Sequence, residues 1–249
     1  MSTNKKKRLK KKYSLILLFI GFLAVFIVLE FVFNPKNDGN DKTTIASKTF
    51  TKTDNSGKCD YVLMKTGNIN QIKIGAYQAC ETVSLYNALV YFGKTQGQSA
   101  EDLINDLPLV GWGGDPDSGY AGDPWTANED IPDGGFPTIW PEALMAFAQS
   151  KGLTVANLSG QSLDVIKASV LKEHIVEMWV TIDFATPAIT YTDYYGHEVV
   201  ANTHAVLLDG YDVKKKEFHV TDPIKGKYWL DEATVGAIYG SVAKFEILK

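Results

Sequence analysis

A cysteine, a histidine and an aspartate occur in this chain in an order and in surroundings that suit nucleophilic catalysis. Cys80 follows the loop Gly75–Ala79 and begins a stretch with helical spacing that extends to Phe92. A thiol at the first turn of a helix faces unpaired backbone N–H groups and the positive end of the helix dipole, which together stabilise a thiolate. His204 and Asp222, more than a hundred residues further on, supply a possible base and a possible carboxylate to orient it. These residues predict attack of a thiolate–imidazolium pair on an acyl carbon.

The elements that must position Cys80 are predicted to be helices. Apolar spacing and helix-end signals predict helices over Cys80–Phe92, Ala100–Leu107 and Pro141–Ser150. Gly93 is a candidate C-terminal cap of the first helix, because glycine adopts the left-handed backbone conformation at little cost. Cys80 would then lie at the N-terminus of that helix.

A long irregular loop is predicted between the second and third helices. The segment Val110–Gly135 is dense in Gly, Asp and Pro, and loops of this length inside a compact domain usually carry function or are disordered. The loop contains Trp112, Tyr120 and Trp125, and Trp140 follows it. We expect these aromatic residues either to form a cleft wall or lid, or simply to pack over the core.

The second half of the domain is predicted to be an antiparallel sheet. Alternation over Val176–Phe184 predicts a strand with one apolar face, and His204–Leu208 is a second, mostly apolar candidate. Further strands are predicted over Glu217–Thr221, Tyr228–Leu230 and Val242–Ile247, and a turn over Gly210–Asp212. A helical half that leads into an antiparallel half is an α+β layout, in which His204 and Asp222 would face Cys80 across a cleft.

The N-terminal segment predicts a membrane anchor. Residues 1–12 form a basic segment, with seven Lys or Arg between Lys5 and Lys12, and the apolar residues 13–33 carry one charge, at Glu30. About 20 apolar residues match a bilayer core, and the basic flank places the N-terminus in the cytoplasm. We therefore expect a single uncleaved transmembrane helix, with the rest of the chain extracytoplasmic, at a bacterial cell surface. A cleaved signal peptide is the alternative, but no Ala-x-Ala site follows the apolar run.

Beyond this segment, the composition predicts a flexible linker and one acidic domain. Residues 34–58 are rich in Asn, Asp, Lys, Thr and Ser, whereas residues 59–249 are numerous enough to form one core. Without the seven basic residues before Tyr13, 18 Lys and Arg stand against 29 Asp and Glu, a net charge of about −11. Such a surface is unsuited to nucleic acid, and no Gly-x-x-x-x-Gly-Lys-Ser/Thr motif for a nucleotide occurs.

Four segments resemble a known family. Gly75–Gly93, whose core is Cys-Glu-Thr-Val-Ser-Leu, is similar to the nucleophile segment of the bacteriocin-processing-peptidase-like family, peptidase family C39, within the papain-like cysteine peptidase clan. The other three are similar to that family's central helix start, histidine strand and Asp-Pro turn: Ile139–Leu144, His204–Asp212 and Thr221–Gly226. The resemblance covers roughly Tyr61 to the C-terminus and implies a papain-like fold, with a helical half packed on an antiparallel sheet.

The resemblance also implies roles, with Cys80 as nucleophile, His204 as base and Asp222 as the residue that orients the imidazole. The family uses a glutamine upstream of the cysteine as an oxyanion donor, and Gln71 and Gln78 precede the cysteine by nine and two residues. Gln71 is the expected donor, because the chain can loop it back beside the thiol, whereas Gln78 has little freedom to turn. The alternative is a weak oxyanion site.

Other uses of these side chains stay open. Cys59 and Cys80 are the only two cysteines, and outside the cytoplasm such a pair can form a disulfide, although the contexts of the histidine and the aspartate favour a nucleophile. Asp115–Gly119 only faintly resembles a calcium loop, and the clustered Cys and His of a zinc site do not occur, so we expect no metal and no other cofactor. The remaining histidines are expected to be surface or structural residues: His174, His197 and His219.

The function expected from these residues is hydrolysis of peptide or amide bonds by a membrane-anchored, extracytoplasmic cysteine peptidase. A Cys-His-Asp triad would act through a thioester intermediate on a peptide or protein substrate. Two alternatives are a catalytically inactive relative that binds peptides or an envelope partner, and an amidase or acyltransferase on cell-wall peptides. The second arises because the same trio serves any acyl transfer.

Overall fold

The computed structural model describes residues 28–31, 49–195 and 197–243 of this 249-residue chain. Within them the strands are β1 (Val28–Phe31), β2 (Thr49–Thr53), β3 (Cys59–Met64), β4 (Leu109–Gly111), β5 (Tyr120–Ala121), β6 (Val155–Asn157), β7 (Ile175–Thr181), β8 (Ile189–Tyr194), β9 (His197–Val200), β10 (Thr203–Asp212), β11 (Glu217–Asp222) and β12 (Gly226–Asp231). The helices are α1 (Cys80–Phe92), α2 (Ala100–Asn105), α3 (Pro141–Ser150), α4 (Leu163–Leu171) and α5 (Glu232–Ala243), with 3-10 turns at Asn128–Asp130 and Ile182–Phe184.

One antiparallel sheet carries the residues predicted to act with Cys80. Its strand order is β12–β11–β10–β7–β1–β6, and β3 pairs with β10 on one side and β2 on the other. Strand β10 pairs with β7 from Thr203 to Leu208 and with β11 from Leu207 to Asp212. Because β10 and β11 run antiparallel, the end of β11 with Asp222 returns to the beginning of β10, where His204 lies. The predicted α+β layout of helices on an antiparallel sheet is confirmed at this level.

Helix α1 is packed against the sheet and has the predicted bounds. Ten of its 13 residues are buried, which is typical of a helix enclosed on most sides. The hydroxyl of Ser84 donates to the backbone oxygen of Ala205 in β10 at 3.2 Å, which fixes the helix to that strand. Gly93 ends the helix at φ 66°, in the left-handed conformation expected of it. Cys80 is therefore held at a defined position relative to β10.

The other predicted helices and the loop between them are also present. Helix α3 has the predicted bounds, with Pro141 in its first turn, whereas α2 ends at Asn105, two residues before the predicted end. Between them the chain is mostly irregular and contains only the short strands β4 and β5 and one 3-10 turn. Strand β7 stops at Thr181, so the predicted extension to Phe184 is a 3-10 turn instead.

The segment Gly210–Asp212, predicted to be a turn, lies instead within β10. The pairing between β10 and β11 shifts just before Gly210, so that Asp209 is the extra residue of a β-bulge. A Cβ atom on Gly210 would lie 2.8 Å from the backbone oxygen of Val62 and 2.9 Å from Cβ of His219. The glycine is therefore required by the close approach of neighbouring strands and not by a turn.

Neither α4 nor α5 is predicted from the sequence. Ser162 caps α4 by accepting a hydrogen bond from the N–H of Val165, whereas α5 contains glycine, a poor helix former, at Gly236. A Cβ there would lie 3.0 Å from the end of the Leu163 side chain in α4, a tight contact. Helix α5 also takes in the first two residues of the strand predicted over Val242–Ile247, and the rest of that prediction lies outside the described residues.

The predicted linker, residues 34–58, contains folded structure. Strand β2 lies inside it and pairs with β3 from Thr49↔Met64 to Thr53↔Cys59. The folded part of the chain thus begins before the predicted boundary at Cys59, because the backbone of β2 completes the hydrogen bonding of the β3 edge. Residues 34–48 lie outside the described residues.

The predicted transmembrane helix, residues 13–33, is described only in its last part. There Val28–Phe31 form strand β1 and not a helix, paired antiparallel with β6 and with β7. Valine and phenylalanine are favourable in strands, and β1 satisfies the backbone of both neighbours. Within the described part of the chain, no helix has the length and apolar character needed to cross a bilayer. Residues 13–27 and the basic segment 1–12 lie outside the described residues.

Candidate active site

Cys80 is the first residue of α1, and its thiol lies between this helix and β10. The preceding residue, Ala79, provides no side-chain cap for the helix. The backbone of Ala205, the residue that follows His204 in β10, favours the charged form of Sγ. The thiol donates to Oε2 of Glu81 at 3.2 Å. The structure therefore brings Cys80 to the strand that carries the candidate base.

The thiol is not favoured as a thiolate in this arrangement. Burial, the charge of Glu81 and the hydrogen bond to Glu81 raise the pKa of Cys80 well above its ordinary value, and the backbone of Ala205 offsets this only in part. The helix-dipole argument predicts the opposite direction and is wrong for this site. A helix terminus stabilises a charge by only about 0.3–1 kcal/mol at an exposed position, which desolvation and an adjacent carboxylate outweigh here.

His204 and Asp222 are in direct contact. His204 Nε2 lies 3.0 Å from Asp222 Oδ1, and both side chains are buried. The backbone N–H groups of Ile224 and Lys225 donate to the same oxygen at 2.7 and 3.0 Å, and the hydroxyl of Tyr228 donates to Oδ2 at 3.2 Å. The carboxylate is thus held by the turn that follows β11 and by β12, which fixes the orientation of the imidazole.

The charge of Asp222 determines which nitrogen of His204 carries the proton. Burial alone would raise the pKa of Asp222, but the hydrogen bond and charge of His204 and the two backbone N–H groups outweigh burial and lower it to about 2. A carboxylate at neutral pH can only accept, so the neutral imidazole donates from Nε2 and carries its lone pair on Nδ1. The predicted role of Asp222, to orient the imidazole, agrees with this geometry.

A cleft of about 390 Å³ opens over these side chains. Cys80 and His204 lie in its wall together with Gln71. Much of the remaining lining is apolar and comes from several loops: Ile72, Ile131, Phe136, Pro137, Ile182 and Ile224. Apolar walls around a few convergent polar groups are typical of a small-molecule or peptide site.

The two candidate oxyanion donors, Gln71 and Gln78, both line this cleft but are held differently. Gln71 is buried, and its Nε2 donates one hydrogen bond, to the backbone oxygen of Tyr77 at 3.0 Å. Nε2 of Gln78 donates to the backbone oxygen of Thr126 at 3.1 Å and to Oδ1 of Asn128 at 2.6 Å. An amide nitrogen has two hydrogens, and within the described residues Gln78 uses both, whereas Gln71 uses one and keeps the other for a ligand.

The cysteines and the aromatic loop resolve two of the open alternatives. Cys59 and Cys80 are both free thiols, and Cys59 Sγ donates to the backbone oxygen of Tyr61 at 3.3 Å, so no disulfide links them. The long loop does form one wall of the cleft, through residues that include Asn128 and Ile131. Of its aromatic residues, Tyr120 is fully buried and Trp125 packs half-buried against the core, whereas Trp112 is exposed; none of the three lies in the lining of the cleft.

Three residues of the site were not predicted from the sequence: Glu81, Thr138 and Tyr228. Tyr228 contacts Asp222, and the hydroxyl of Thr138 donates to Oε1 of Glu81 at 2.6 Å. The one signal in the sequence was the acidic residue directly after the cysteine. It lies in the apolar stretch Cys80–Phe92, and charged side chains are rarely buried unless they are paired. No group of three or more His, Cys, Asp or Glu side chains in the described residues is arranged to hold a metal ion.

The part of the chain that carries this site is similar to known proteins. The model of the peptidase C39-like family matches residues 64–244. The fold is similar to a crystal structure of a protein from Bacillus anthracis that has been assigned as a C39-like peptidase, with a TM-score of 0.62 and 20% identity over 74% of this chain and 94% of that one. At this identity the likeness concerns the fold alone. No protein of curated function matches the sequence.

Proposed function

This chain belongs to the peptidase C39-like family and is a cysteine peptidase, and from this premise we propose hydrolysis of peptide or amide bonds by Cys80, His204 and Asp222. The observation that carries the proposal is that the first two line one cleft while Asp222 holds His204 Nε2 at 3.0 Å. This contact leaves Nδ1 as the nitrogen that accepts the thiol proton. A papain-like fold, with α1 packed on an antiparallel sheet, is part of the same proposal.

The reaction divides into two acyl transfers. In the first, His204 takes the proton of the Cys80 thiol, the sulfur attacks the substrate carbonyl carbon, and the imidazolium protonates the leaving amine. In the second, His204 takes a proton from water, whose oxygen attacks the thioester carbon. The C–S bond then breaks, the acid leaves, and the imidazolium returns its proton to the Cys80 sulfur. The oxyanion of each tetrahedral intermediate would accept hydrogen bonds from Gln71 Nε2 and from the backbone N–H of Cys80 at the helix N-terminus.

The substrate we propose is a peptide or protein segment bound along the cleft. The apolar lining and the exposed rim residues Ile72, Tyr77 and Ile182 suit a chain with apolar side chains next to the scissile bond. Hydrolysis requires water as the second nucleophile, and an amine in its place would give transfer.

We also propose that the catalytic domain is extracytoplasmic and anchored by the N-terminal apolar segment. The support is the basic run before Tyr13 and the apolar run that follows it. Strand β1 and a span over all of residues 13–33 are alternative structures for Val28–Phe31, so the proposal requires these four residues to leave the sheet. Alkaline extraction of membranes that contain the full-length chain tests the anchor, because an integral protein stays in the pellet and a released one does not.

The test of the mechanism is the rate of Cys80 alkylation by iodoacetamide in the full-length protein, followed by peptide mass mapping. At pH 7 His204→Ala is expected to slow the labelling of Cys80 roughly tenfold or more, because the imidazolium that stabilises the thiolate is lost. Cys59 in the same molecule serves as the internal control. Equal rates of Cys80 labelling in wild type and His204→Ala would contradict the proposal.

Incubation with a peptide library then separates the reaction classes. Hydrolysed products that disappear with Cys80→Ala support the peptidase. Products that carry an added amine would assign an acyltransferase, and tight peptide binding without turnover would assign an inactive relative.

A further inference from the structure

Glu81, the residue after the candidate nucleophile, is a buried carboxyl group in direct contact with the thiol. Its side chain is 1% exposed. Oε2 accepts a hydrogen bond from Cys80 Sγ at 3.2 Å. Oε1 accepts one from the hydroxyl of Thr138 at 2.6 Å and a longer one from the backbone N–H of Ile139 at 3.4 Å. One oxygen is thus fixed by the loop before α3, and the other is directed to the sulfur.

The groups that face Glu81 disfavour additional negative charge. Glu177 of β7 is fully buried, and neither of its carboxyl oxygens has a hydrogen-bond partner among the described residues. Burial and then the charge of Glu81 raise the pKa of Glu177 well above its usual range, and burial raises the pKa of Glu81 itself. Burial and then the charge of Glu81 raise the pKa of Tyr120 well above its usual range. His204 lies in the wall of the cleft that Glu81 also lines.

We propose that Glu81 controls the ionisation of Cys80: its carboxylate accepts the thiol hydrogen and keeps the sulfur neutral, whereas its protonated form donates to a thiolate. This inference rests on Cys80 being the nucleophile of the proposed mechanism. Glu81 contacts a reacting atom, so its role is catalytic and not only structural.

The proton count of the activated state follows directly. The S–H bond breaks, the proton moves to Nδ1 of His204, and the electron pair stays on sulfur. If Glu81 is protonated, its O–H donates to the thiolate, and the thiolate and imidazolium form a neutral pair. If Glu81 is ionised, the thiolate forms beside a second negative charge in a poorly solvated site, which is unfavourable.

Glu81→Gln separates this role from a structural one. Thr138 and Ile139 both donate to the Oε1 position, so the amide oxygen of glutamine must lie there and the amide nitrogen must face the sulfur. A hydrogen-bond acceptor at the thiol becomes a donor, and the contacts that tie α1 to the loop remain. If Glu81 only joins these two segments, the reactivity of Cys80 will not change.

The experiment measures the rate of Cys80 alkylation by iodoacetamide against pH, in the full-length wild-type and Glu81→Gln proteins. At pH 7 we expect Glu81→Gln to be alkylated at least about tenfold faster, with its pH profile displaced to lower pH by about one unit or more, since one neighbouring charge is removed. Glu177→Gln is the matched control, which removes a buried carboxyl that does not touch the sulfur. Equal rates in wild type and Glu81→Gln, or an equal acceleration in Glu177→Gln, would overturn the inference.

A second variant covers the case in which Glu81→Gln does not fold. Thr138→Val removes the hydroxyl that stabilises the carboxylate, so Glu81 becomes easier to protonate and alkylation at pH 7 should rise by about two- to fivefold. An unchanged or slower rate would contradict the inference. Failure of the proposed function is distinguishable, because it would appear as loss of the His204 dependence while the response to Glu81→Gln remained.

Discussion

Two histidine–aspartate pairs lie on the same two strands, and only one of them opens onto the cleft. Strand β10 supplies His204 to the first pair and Asp209 to the second, and β11 supplies Asp222 and His219 in return. The nitrogen–oxygen distance is 3.0 Å in the first pair and 2.5 Å in the second. By contact geometry alone, both pairs resemble a base and the carboxylate that orients it.

The register of the strands places the two pairs on opposite faces of the sheet. Side chains alternate between the faces of a strand, so Asp222 lies on the face of Val220, whereas His219 lies on the face of Thr221. Asp209 lies on the second face by the same alternation, because Leu207, two residues before it, pairs with Thr221. A slip of one residue in either strand would exchange these faces.

The second pair is enclosed by other side chains. The hydroxyls of Thr66 and Thr221 donate to Asp209 Oδ2 at 2.5 and 2.8 Å, and the ring of Trp229 packs edge-on against His219 at 5.1 Å. This cluster links β10, β11 and the segment after β3, so its role is to hold the sheet together. A histidine–aspartate contact thus becomes a candidate catalytic pair only where a nucleophile and a cleft adjoin it.

Replacing His204 and His219 in turn is expected to give the largest difference between the two pairs. His204→Ala is expected to lower kcat/KM for a cleaved peptide by roughly 10³-fold, because a general base is lost, and to lower the free energy of unfolding by about 1–3 kcal/mol, since Asp222 loses a buried hydrogen-bond partner. His219→Ala is expected to keep most of the activity and to lower the free energy of unfolding by about 1–3 kcal/mol, since Asp209 loses a buried hydrogen-bond partner. Peptide hydrolysis and urea unfolding measure the two effects, and similar activity losses in both variants would break the distinction.

Replacing Gln71 and Gln78 in turn tests which glutamine of the cleft around His204 stabilises the oxyanion. Gln71→Ala is expected to lower kcat by about 10²-fold with little change in KM, because an oxyanion donor acts mainly in the transition state. Gln78→Ala removes contacts to Thr126 and Asn128, so we expect a change mainly in KM. Steady-state kinetics of the matched pair decides, and the reverse pattern would assign the oxyanion to Gln78.

The smallest expected effect is on acid stability, through the His204–Asp222 pair. The pKa of Asp222 is lowered from 3.8 to about 2 in the folded protein, so the unfolded state binds the proton more readily. This stability is fully present above about pH 4 and is lost as the pH falls to about 2, an effect of about 2 kcal/mol. Urea unfolding at several pH values should show a shallower dependence in Asp222→Asn than in wild type over this window. Parallel curves for the two proteins would show that the carboxylate is not stabilised by His204.

The helices that position the nucleophile were predictable from the sequence because their end signals are local. Gly93 adopts the left-handed conformation that ends α1, and Pro141 begins α3, so both helices have the bounds that the sequence predicts. Helix α5 was not predictable, because it contains Gly236, a poor helix former. Gly210 was misassigned to a turn because its close neighbours come from other strands.

The sequence by itself determined which residues could form a catalytic trio: their types, their chain order and the elements that carry them are local properties. Only the tertiary structure decided which histidine meets which aspartate, because the register of β10 and β11 decides which side chains share a face. It also decided the state of Cys80. The helix N-terminus favours a thiolate, but burial and the carboxylate of Glu81 outweigh it, because desolvation depends on everything packed around the sulfur.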